Sequence, residues 1–209
     1  FGGTDPLINI ETLRGSLFDD TLTGDANSNK IRGLDGNDII DGGAGFDTVD
    51  YSLDDNFEGF GGVTVDLAAG TAIDGFGATD TLANIEKVIG TDVGDTITGD
   101  GANNVLEGQS GDDTLTGGAG NDTLTGGAGN DTIDGGAGTD TAVFSGNLAN
   151  YSLTDNGGGS ITVVDEVGTD GTDQLQDVEF LQFLDQTIPT GAIGTFPTPG
   201  DDTLIGTAG

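Results

Sequence analysis

Residues 108–140 read GQSGDDTLT, GGAGNDTLT, GGAGNDTID and GGAGTD, a unit of nine residues that recurs with little change. Each unit begins with a glycine-rich run that ends in an acid, and then places one apolar residue between polar ones. The second part has the period-two pattern of a short strand with one buried side. Glycines adopt positive φ at little cost, so the first part favours a tight turn. The unit therefore predicts a solenoid of alternating strands and turns.

Positions six and eight, counted from the first glycine of each unit, carry this pattern through two blocks of the chain. Position eight is always apolar: Leu22, Ile31, Ile40, Val49, Ile97, Leu106, Leu115, Leu124, Ile133 and Ala142. Position six holds Asp20, Asn29, Asp38, Asp47, Asp95, Asn104, Asp113, Asp122, Asp131 and Asp140. A flexible Gly/Asp-rich linker, the alternative interpretation, has no reason to keep an apolar residue at one fixed position.

Two units should form one coil, so that units two apart stack on the same side. This places Asp113 near Asp95 and Asp131, and it places Asp122 near Asn104 and Asp140. Stacked carboxylates repel unless a cation lies between them. Ca²⁺ suits the arrangement, because it takes six to eight oxygen ligands in flexible geometry, whereas Mg²⁺ demands a tighter octahedron. Zinc is disfavoured, since the chain has no His and no Cys.

The predicted calcium ligands are the position-six side chains together with main-chain carbonyls of the turns. The turn glycines in this prediction are Gly33, Gly36, Gly43, Gly45, Gly108, Gly111, Gly118, Gly120, Gly127, Gly129, Gly136 and Gly138. Ordering the backbone costs about 1–2 kcal/mol per residue, and the interior holds only one side chain per unit. We therefore expect the rolls to be largely unfolded without calcium and folded with it.

Composition limits the partners. The chain has 37 acids, four bases and a formal net charge of −33, which excludes nucleic acid and disfavours anionic membrane surfaces. No segment approaches the roughly 20 apolar residues of a membrane-spanning helix, so membrane insertion is not expected. The absence of cysteine fits an exported protein that is stabilised by metal instead of disulfides. Extracellular modules commonly bind calcium with dissociation constants of about 10⁻⁴ to 10⁻³ M.

A longer repeat organises the whole chain. Residues 1–15, FGGTDPLINIETLRG, return as FGATDTLANIEKVIG in residues 76–90. The predicted sequence of segments is a preceding connector tail (1–14), β-roll 1 (15–50), a β connector (51–89), β-roll 2 (90–144), a β-rich cap (145–193) and the start of a further roll (194–209). The connector strands are expected to cover the apolar ends of the rolls, because the end coil of a solenoid exposes its core.

The nonapeptides resemble those of the RTX (repeats-in-toxin, haemolysin-type calcium-binding) family. The resemblance implies an all-β fold of right-handed parallel β-roll segments, calcium in the turns, type I secretion from a Gram-negative bacterium and folding after export. The protein would then be extracellular or on the cell surface. Some turns depart from the pattern, with amides at position six or with Ser16, Leu34, Thr91, Asp100 or Gln109 at position two. Those sites are expected to be weaker, differently liganded or empty.

Catalysis is not expected. The chain lacks His-Glu-x-x-His, Gly-x-Ser-x-Gly and Gly-Lys-Ser/Thr. Adjacent acids at 54–55 and 165–166 fit solvated loop or strand-edge positions better than an acid/base pair. Paired threonines in four units resemble an ice-binding face, but β-propensity is the favoured explanation, since a flat array would need more units on one side.

Two further sets of residues leave alternatives open. Glu11, Glu86 and Glu179 recur in similar segments, where a surface or capping role is favoured over calcium ligation. Phe144, Tyr151, Phe180 and Phe183 are expected to form the core of the cap rather than a glycan-binding strip.

The favoured function is a calcium-binding structural module of a large secreted repetitive protein, such as a surface layer, an adhesin stalk or an extracellular filament. Its partners would be calcium, further copies of the same module by self-association or tandem repetition, and extracellular polysaccharide. The alternative is a non-catalytic secretion and folding module of an exoenzyme, such as a protease, a lipase or an alginate-modifying enzyme.

Overall fold

The computed structural model describes residues 10–52 and 61–193, which form an all-β solenoid of two sheets. The first sheet has nine strands in the order β1-β3-β5-β9-β11-β13-β15-β19-β20. The second has 11 strands in the order β16-β17-β18-β14-β12-β10-β6-β7-β8-β4-β2. Within the rolls, successive strands alternate between the sheets, and neighbours in each sheet run parallel. The predicted parallel β-roll is confirmed.

The strands are short, as the repeat requires. Those of the first roll are β1 (Thr12–Arg14), β2 (Thr21–Thr23), β3 (Lys30–Arg32), β4 (Ile39–Asp41) and β5 (Thr48–Asp50). The connector contributes β6 (Thr64–Asp66), β7 (Thr71–Ile73), β8 (Thr79–Ala83) and β9 (Lys87–Ile89). The second roll contains β10 (Thr96–Thr98), β11 (Val105–Ser110), β12 (Thr114–Gly120), β13 (Thr123–Ala128), β14 (Thr132–Gly138) and β15 (Thr141–Val143). The cap comprises β16 (Tyr151–Gly157), β17 (Ser160–Asp165), β18 (Thr172–Gln176), β19 (Phe180–Gln182) and β20 (Thr187–Pro189), with 3₁₀ turns at Leu148–Asn150 and Thr190–Ala192.

The register confirms that two units make one coil. Thr96 pairs with Thr114, and Thr114 pairs with Thr132, each 18 residues further along the chain. Position-eight residues therefore stack in two columns between the sheets. Nine of the ten are buried, with exposed fractions of 0 or 1%, and Leu22 at one end is partly buried. The core is this pair of columns.

The connector joins the two rolls through both sheets. Strand β9 lies between β5 and β11 as an ordinary parallel rung of the first sheet. In the second sheet, β8 runs parallel to β4, and β7 and β6 follow as antiparallel strands. Strand β6 then pairs in parallel with β10 of the second roll. The two rolls therefore share continuous sheets, while the division of the chain into domains remains a prediction.

The cap repeats this arrangement at the other end. Strand β18 runs parallel to β14 and continues into the antiparallel strands β17 and β16. The rings of Phe144, Tyr151 and Phe183 pack together with centroids 5.0–5.5 Å apart, as expected for the core of the cap. Phe180 is only partly buried on β19, and its ring is outside this cluster.

Three sequence predictions concern residues that the structure does not describe: the start of a further roll at 194–209, the acidic pair at 54–55, and the connector tail at 1–14, of which residues 1–9 lie outside the described ranges. Asp165 and Glu166 have structural contacts. Asp165 accepts hydrogen bonds from the backbone N–H groups of Val167 and Gly168, and Glu166 accepts one from the Ser152 hydroxyl. Among the described residues, no helix has the length and hydropathy needed to span a bilayer.

Candidate metal centre in the turns

The position-six side chains form hydrogen-bonded ladders along the solenoid. Asp113 Oδ1 accepts a hydrogen bond from the backbone N–H of Asp95 at 2.7 Å, and Asp131 Oδ1 accepts one from Asp113 at 2.9 Å. The same contact links Asp122 to Asn104 and Asp140 to Asp122. The predicted stacking is therefore present. The sequence did not indicate the intervening N–H donors, which lessen the repulsion between stacked carboxylates.

The connector and the cap continue these ladders with acids outside the repeat. Asp80 Oδ1 accepts from the N–H of Asp38, and Glu86 Oε2 accepts from that of Asp47. In the cap, Asp173 and Glu179 do the same for Asp131 and Asp140. These contacts give Glu86 and Glu179 a definite position in the ladder.

Asp80 and Asp173 were missed as site residues, although the sequences around them resemble each other. Both are buried, with exposed fractions of 0 and 2%. Glu11, the third recurring glutamate, lies exposed, and its backbone carbonyl accepts from the N–H of Lys30.

The second carboxylate oxygen differs from the first. In six turns, Oδ2 is buried and has no hydrogen-bond partner: those of Asp38, Asp47, Asp113, Asp122, Asp131 and Asp140. A buried polar atom without a partner costs free energy, and an anionic oxygen costs more than a neutral one. Three of the chain's four basic residues form ion pairs elsewhere, Lys30 and Arg32 with Asp50 and Lys87 with Glu107. These oxygens therefore suit a bound cation.

Backbone carbonyls converge on the same places. A Cβ added to Gly117 would lie 2.5 Å from both Asp122 Oδ2 and the carbonyl oxygen of Gly135, one coil further along. At Gly108 the corresponding neighbours are Asp113 Oδ2 and the carbonyl of Gly126. Only glycine leaves this space open, and the space is lined by oxygens. A carboxylate with main-chain carbonyls is the donor set that Ca²⁺ prefers.

Two connector residues take the place of the glycine carbonyl at the end of each roll. The carbonyl oxygen of Asn84 faces Gly42 in the turn of Asp47, and that of Asp177 faces Gly135 in the turn of Asp140. Both residues have positive φ, 54° and 48°, which Asn and Asp tolerate better than most residues. They were not predicted from the sequence.

The remaining predicted glycines shape the turn backbone. Those at positions two and four all have φ between 90° and 154°: Gly36, Gly43, Gly45, Gly111, Gly118, Gly120, Gly127, Gly129, Gly136 and Gly138. Gly33, like Gly108, is at position one and faces the carboxylate of its own turn. All 12 predicted glycines thus lie in the turns, and their role as calcium ligands remains a prediction.

Burial alters the acidity of these carboxylates. Desolvation raises the pKa of Asp113 to about 8 and the pKa values of Asp38 and Asp131 to about 6, although each accepts a backbone hydrogen bond that lowers it. The pKa values of Asp47, Asp122 and Asp140 are raised for the same reason. Without a cation, these groups therefore hold a proton more readily than an exposed carboxylate does.

The acids lie in columns rather than in clusters. Among the described residues, no three His, Cys, Asp or Glu side chains come close enough to hold a metal by themselves. Most ligands of a bound ion would therefore come from the turn backbone, which again fits calcium better than a transition metal.

Comparison with known families agrees with this geometry. Residues 14–49, 89–124 and 107–142 match the family described as the RTX calcium-binding nonapeptide repeat (4 copies). Both rolls of the chain therefore contain sequence that matches the RTX calcium-binding nonapeptide repeat. Among solved structures, the extracellular lipase LipA from Serratia marcescens is similar at 18% identity with a TM-score of 0.20. The similarity covers 82% of this chain and 38% of that lipase, so the chain spans well under half of its length.

Proposed function

We propose that this chain is a calcium-stiffened structural module of a secreted, repetitive extracellular protein, such as a surface layer, an adhesin stalk or a filament. The observation that carries the calcium role is the set of six buried carboxylate oxygens without partners. In this proposal the position-six side chains and turn carbonyls hold the ions. Ions that bind only the folded chain stabilise it by mass action. Export through a type I system into calcium-rich surroundings would then trigger folding.

The structural role is supported by the two ends of the second sheet. Within residues 10–52 and 61–193, β16 and β2 are its terminal strands. Their counterparts inside the molecule are paired. Strand β16 is the outer antiparallel strand of the cap, as β6 is that of the connector. Strand β2 of the first roll corresponds to β10 at the start of the second roll. Strands β6 and β10 form a parallel pair, with Val65 opposite Ile97.

The side chains at these ends match the internal pair. In β16, Leu153 lies opposite Val163, just as Val65 of β6 lies opposite Ala72. In β2, Leu22 takes the position that Ile97 takes in β10, one long repeat later in the sequence. Val65 and Ile97 are buried, whereas Leu22 and Leu153 are only partly buried. In the second sheet, each end therefore presents the apolar and backbone groups that the other end requires, which favours stacking of copies end to end. In the first sheet, β20 pairs with the outer edge of β19, so this contact would be made by the second sheet alone.

The calcium role is tested by circular dichroism of the full chain during calcium titration. We expect Asp122→Ala to raise the calcium concentration at the folding midpoint, because it removes both a ligand and the hydrogen bond to Asn104. Asp54→Ala, outside the repeat units, is the matched control and should leave the midpoint unchanged. Equal effects of the two substitutions would contradict the proposed ligands.

The end-to-end contact is tested by sedimentation velocity at increasing protein concentration, in calcium and in chelator. We expect association in calcium only, and Leu153→Asp should abolish it while calcium-induced folding persists. Val167→Asp, at a residue 72% exposed and outside β16, is the control. A concentration of about 100 μM populates any contact whose association free energy is more favourable than about −5.5 kcal/mol. A folded chain that stays monomeric at this concentration in calcium would favour the exoenzyme module instead.

Polysaccharide binding is the remaining part of this proposal. The net charge of −33 makes a neutral or calcium-bridged glycan the suitable class. Calcium-dependent retention of the chain on immobilised glycan would support it, and equal elution with and without calcium would remove it.

A further inference from the structure

The ten turns fall into two classes that differ at position two. In one class, the backbone N–H of the position-two residue donates to the side chain at position six of the same turn. Ser16 donates to Asp20 Oδ2 at 2.6 Å, and Thr91 donates to Asp95 Oδ2 at 2.7 Å. Asp25 and Asp100 donate likewise to the Oδ1 atoms of Asn29 and Asn104. We call these four the closed turns.

The other six turns lack this hydrogen bond, and we call them the open turns. They are the turns with a buried Oδ2 that has no partner. Every open turn has a residue with positive φ at position two: Leu34, Gly43, Gln109, Gly118, Gly127 and Gly136. In the closed turns, the position-two residues Ser16, Asp25, Thr91 and Asp100 are not among the described residues with positive φ. The backbone at position two therefore decides whether its N–H reaches the side chain.

We infer that calcium is held at the open turns, and that the closed turns of residues 15–32 and 90–107 hold none at their own position-six side chains. This inference rests on the proposed calcium-binding function. The N–H of a closed turn supplies the positive partner that a cation supplies in an open turn. Both approach the same side-chain oxygen, and an oxygen that already accepts the N–H is a weaker ligand for a cation than one without a partner.

The neighbouring carbonyls do not distinguish the two classes. A Cβ added to Gly90 in a closed turn would lie 2.8 Å from the carbonyl of Gly108, and the equivalent distance at Gly108 in an open turn is 2.7 Å. Closed turns thus have carbonyl oxygens in place but lack a buried carboxylate oxygen without a partner. Asn29 and Asn104 fit this assignment, because a neutral amide oxygen accepts the position-two N–H without an anion, although Asn104 Nδ2 is buried without a partner.

Leu34 and Gln109 support the assignment independently. A residue other than glycine in the left-handed region costs about 1–2 kcal/mol, yet both have positive φ, 74° and 85°. In this conformation their N–H groups make no hydrogen bond to Oδ2 of Asp38 and Asp113, and both oxygens remain without a partner. An ion bound at the freed oxygen offsets this cost.

The placement of the classes has a consequence for folding. Each roll begins with one coil of closed turns, and the open turns follow it. The first coil needs no cation at its position-six oxygens, and it offers a strand edge to the coils that require calcium.

The test compares ion counts by native mass spectrometry of the full chain in calcium. Asp122→Asn removes the free oxygen of an open turn while keeping an oxygen for the Asn104 N–H, so we expect one fewer bound ion. Asp20→Asn is the matched closed-turn variant, since asparagine already occupies this position in two closed turns, and we expect no loss. Asp131→Asn provides a second open-turn variant, so a folding defect at one position does not decide the result.

Loss of an ion in Asp20→Asn, or retention of every ion in both open-turn variants, would overturn the inference. These outcomes differ from failure of the proposed function, in which the unsubstituted chain would bind no calcium and would keep the same circular dichroism in chelator.

Discussion

The first coil of each roll and the coils that follow it have the same repeat, the same apolar column and the same ladder. They differ in one hydrogen bond. In residues 15–32 and 90–107 the turn closes on its own side chain, whereas in residues 33–50 and 108–143 a buried carboxylate oxygen remains without a partner. The comparison shows that the backbone conformation at position two decides whether the side chain at position six accepts a hydrogen bond within its own turn or keeps an oxygen without a partner.

The largest expected effect comes from removing calcium. Each buried carboxylate then loses its counter-ion, and the apolar columns alone do not offset the entropy of ordering 41 glycines. We expect most of the β signal in circular dichroism to disappear in excess chelator and to return with calcium. Hydrogen exchange of the partly loaded chain should show protection lost first in residues 33–50 and 108–143. Earlier loss in the two first coils would reverse the comparison.

A second effect concerns pH in the absence of calcium. The open-turn carboxylates have folded-state pKa values raised by burial, to about 6 for Asp38 and Asp131 and about 8 for Asp113. The folded chain thus binds more protons than the unfolded chain, whose pKa is near 3.8. The stabilising contribution is complete below about pH 4 and is lost as the pH rises through 6 to 8. In chelator, we expect more folded structure at pH 5 than at pH 8.

With calcium present, the pH dependence should have the opposite sign, because protons compete with the ion for the same oxygens. Asp113→Asn removes one of these groups and should weaken both dependences. Urea denaturation followed at several pH values measures the effect. Stability in chelator that rises from pH 5 to pH 8 would contradict the raised pKa values.

The sequence predicted the overall architecture because its signals are periodic. A nine-residue period with a single apolar position leaves one strand face to bury, so two columns and an 18-residue coil follow. Stacking of the position-six side chains follows from the same count. The ladder hydrogen bonds do not, since the N–H of Asp95 reaches Asp113 through a backbone direction that no residue type encodes.

Residues outside the repeat were harder to predict. Asp80 and Asp173 continue the ladder from strands whose pairing depends on tertiary structure, and a single acid in a connector gives no periodic signal. Asn84 and Asp177 contribute carbonyls, which every residue carries. The recurrence of Glu86 and Glu179 was visible in the sequence, but their register with the rolls was not.

A smaller effect is expected from alanine at an open-turn glycine. Gly118 has a φ of 103°, and a Cβ there would lie 2.5 Å from the carbonyl oxygen of Asp100. Gly118→Ala should therefore destabilise the calcium-loaded chain by at least about 1–2 kcal/mol. Gly101→Ala is the control, because a Cβ there has no neighbour within 4 Å. Chemical denaturation in saturating calcium measures both, and equal unfolding midpoints would contradict the required backbone conformation.

The smallest effect should be a gain. Gln109 is exposed and has a φ of 85° in an open turn, so Gln109→Gly should stabilise the calcium-loaded chain by up to about 1 kcal/mol. The closed-turn counterpart, Thr91→Gly, should destabilise it, because it removes the hydroxyl contact with Asp95 and adds backbone freedom. The two substitutions thus have opposite signs at the same position of the repeat. Matching signs in thermal melts would remove the distinction between the turn classes.

The central claim is that calcium binds the buried carboxylate oxygens left free by the turn backbone. A long-wavelength anomalous difference map of crystals grown in calcium tests it directly. We expect peaks beside Oδ2 of the six open-turn acids, Asp38, Asp47, Asp113, Asp122, Asp131 and Asp140. We expect no peak beside the position-six side chains of the closed turns, Asp20, Asn29, Asp95 and Asn104. A folded roll with no peak in any of the six open turns would contradict the claim.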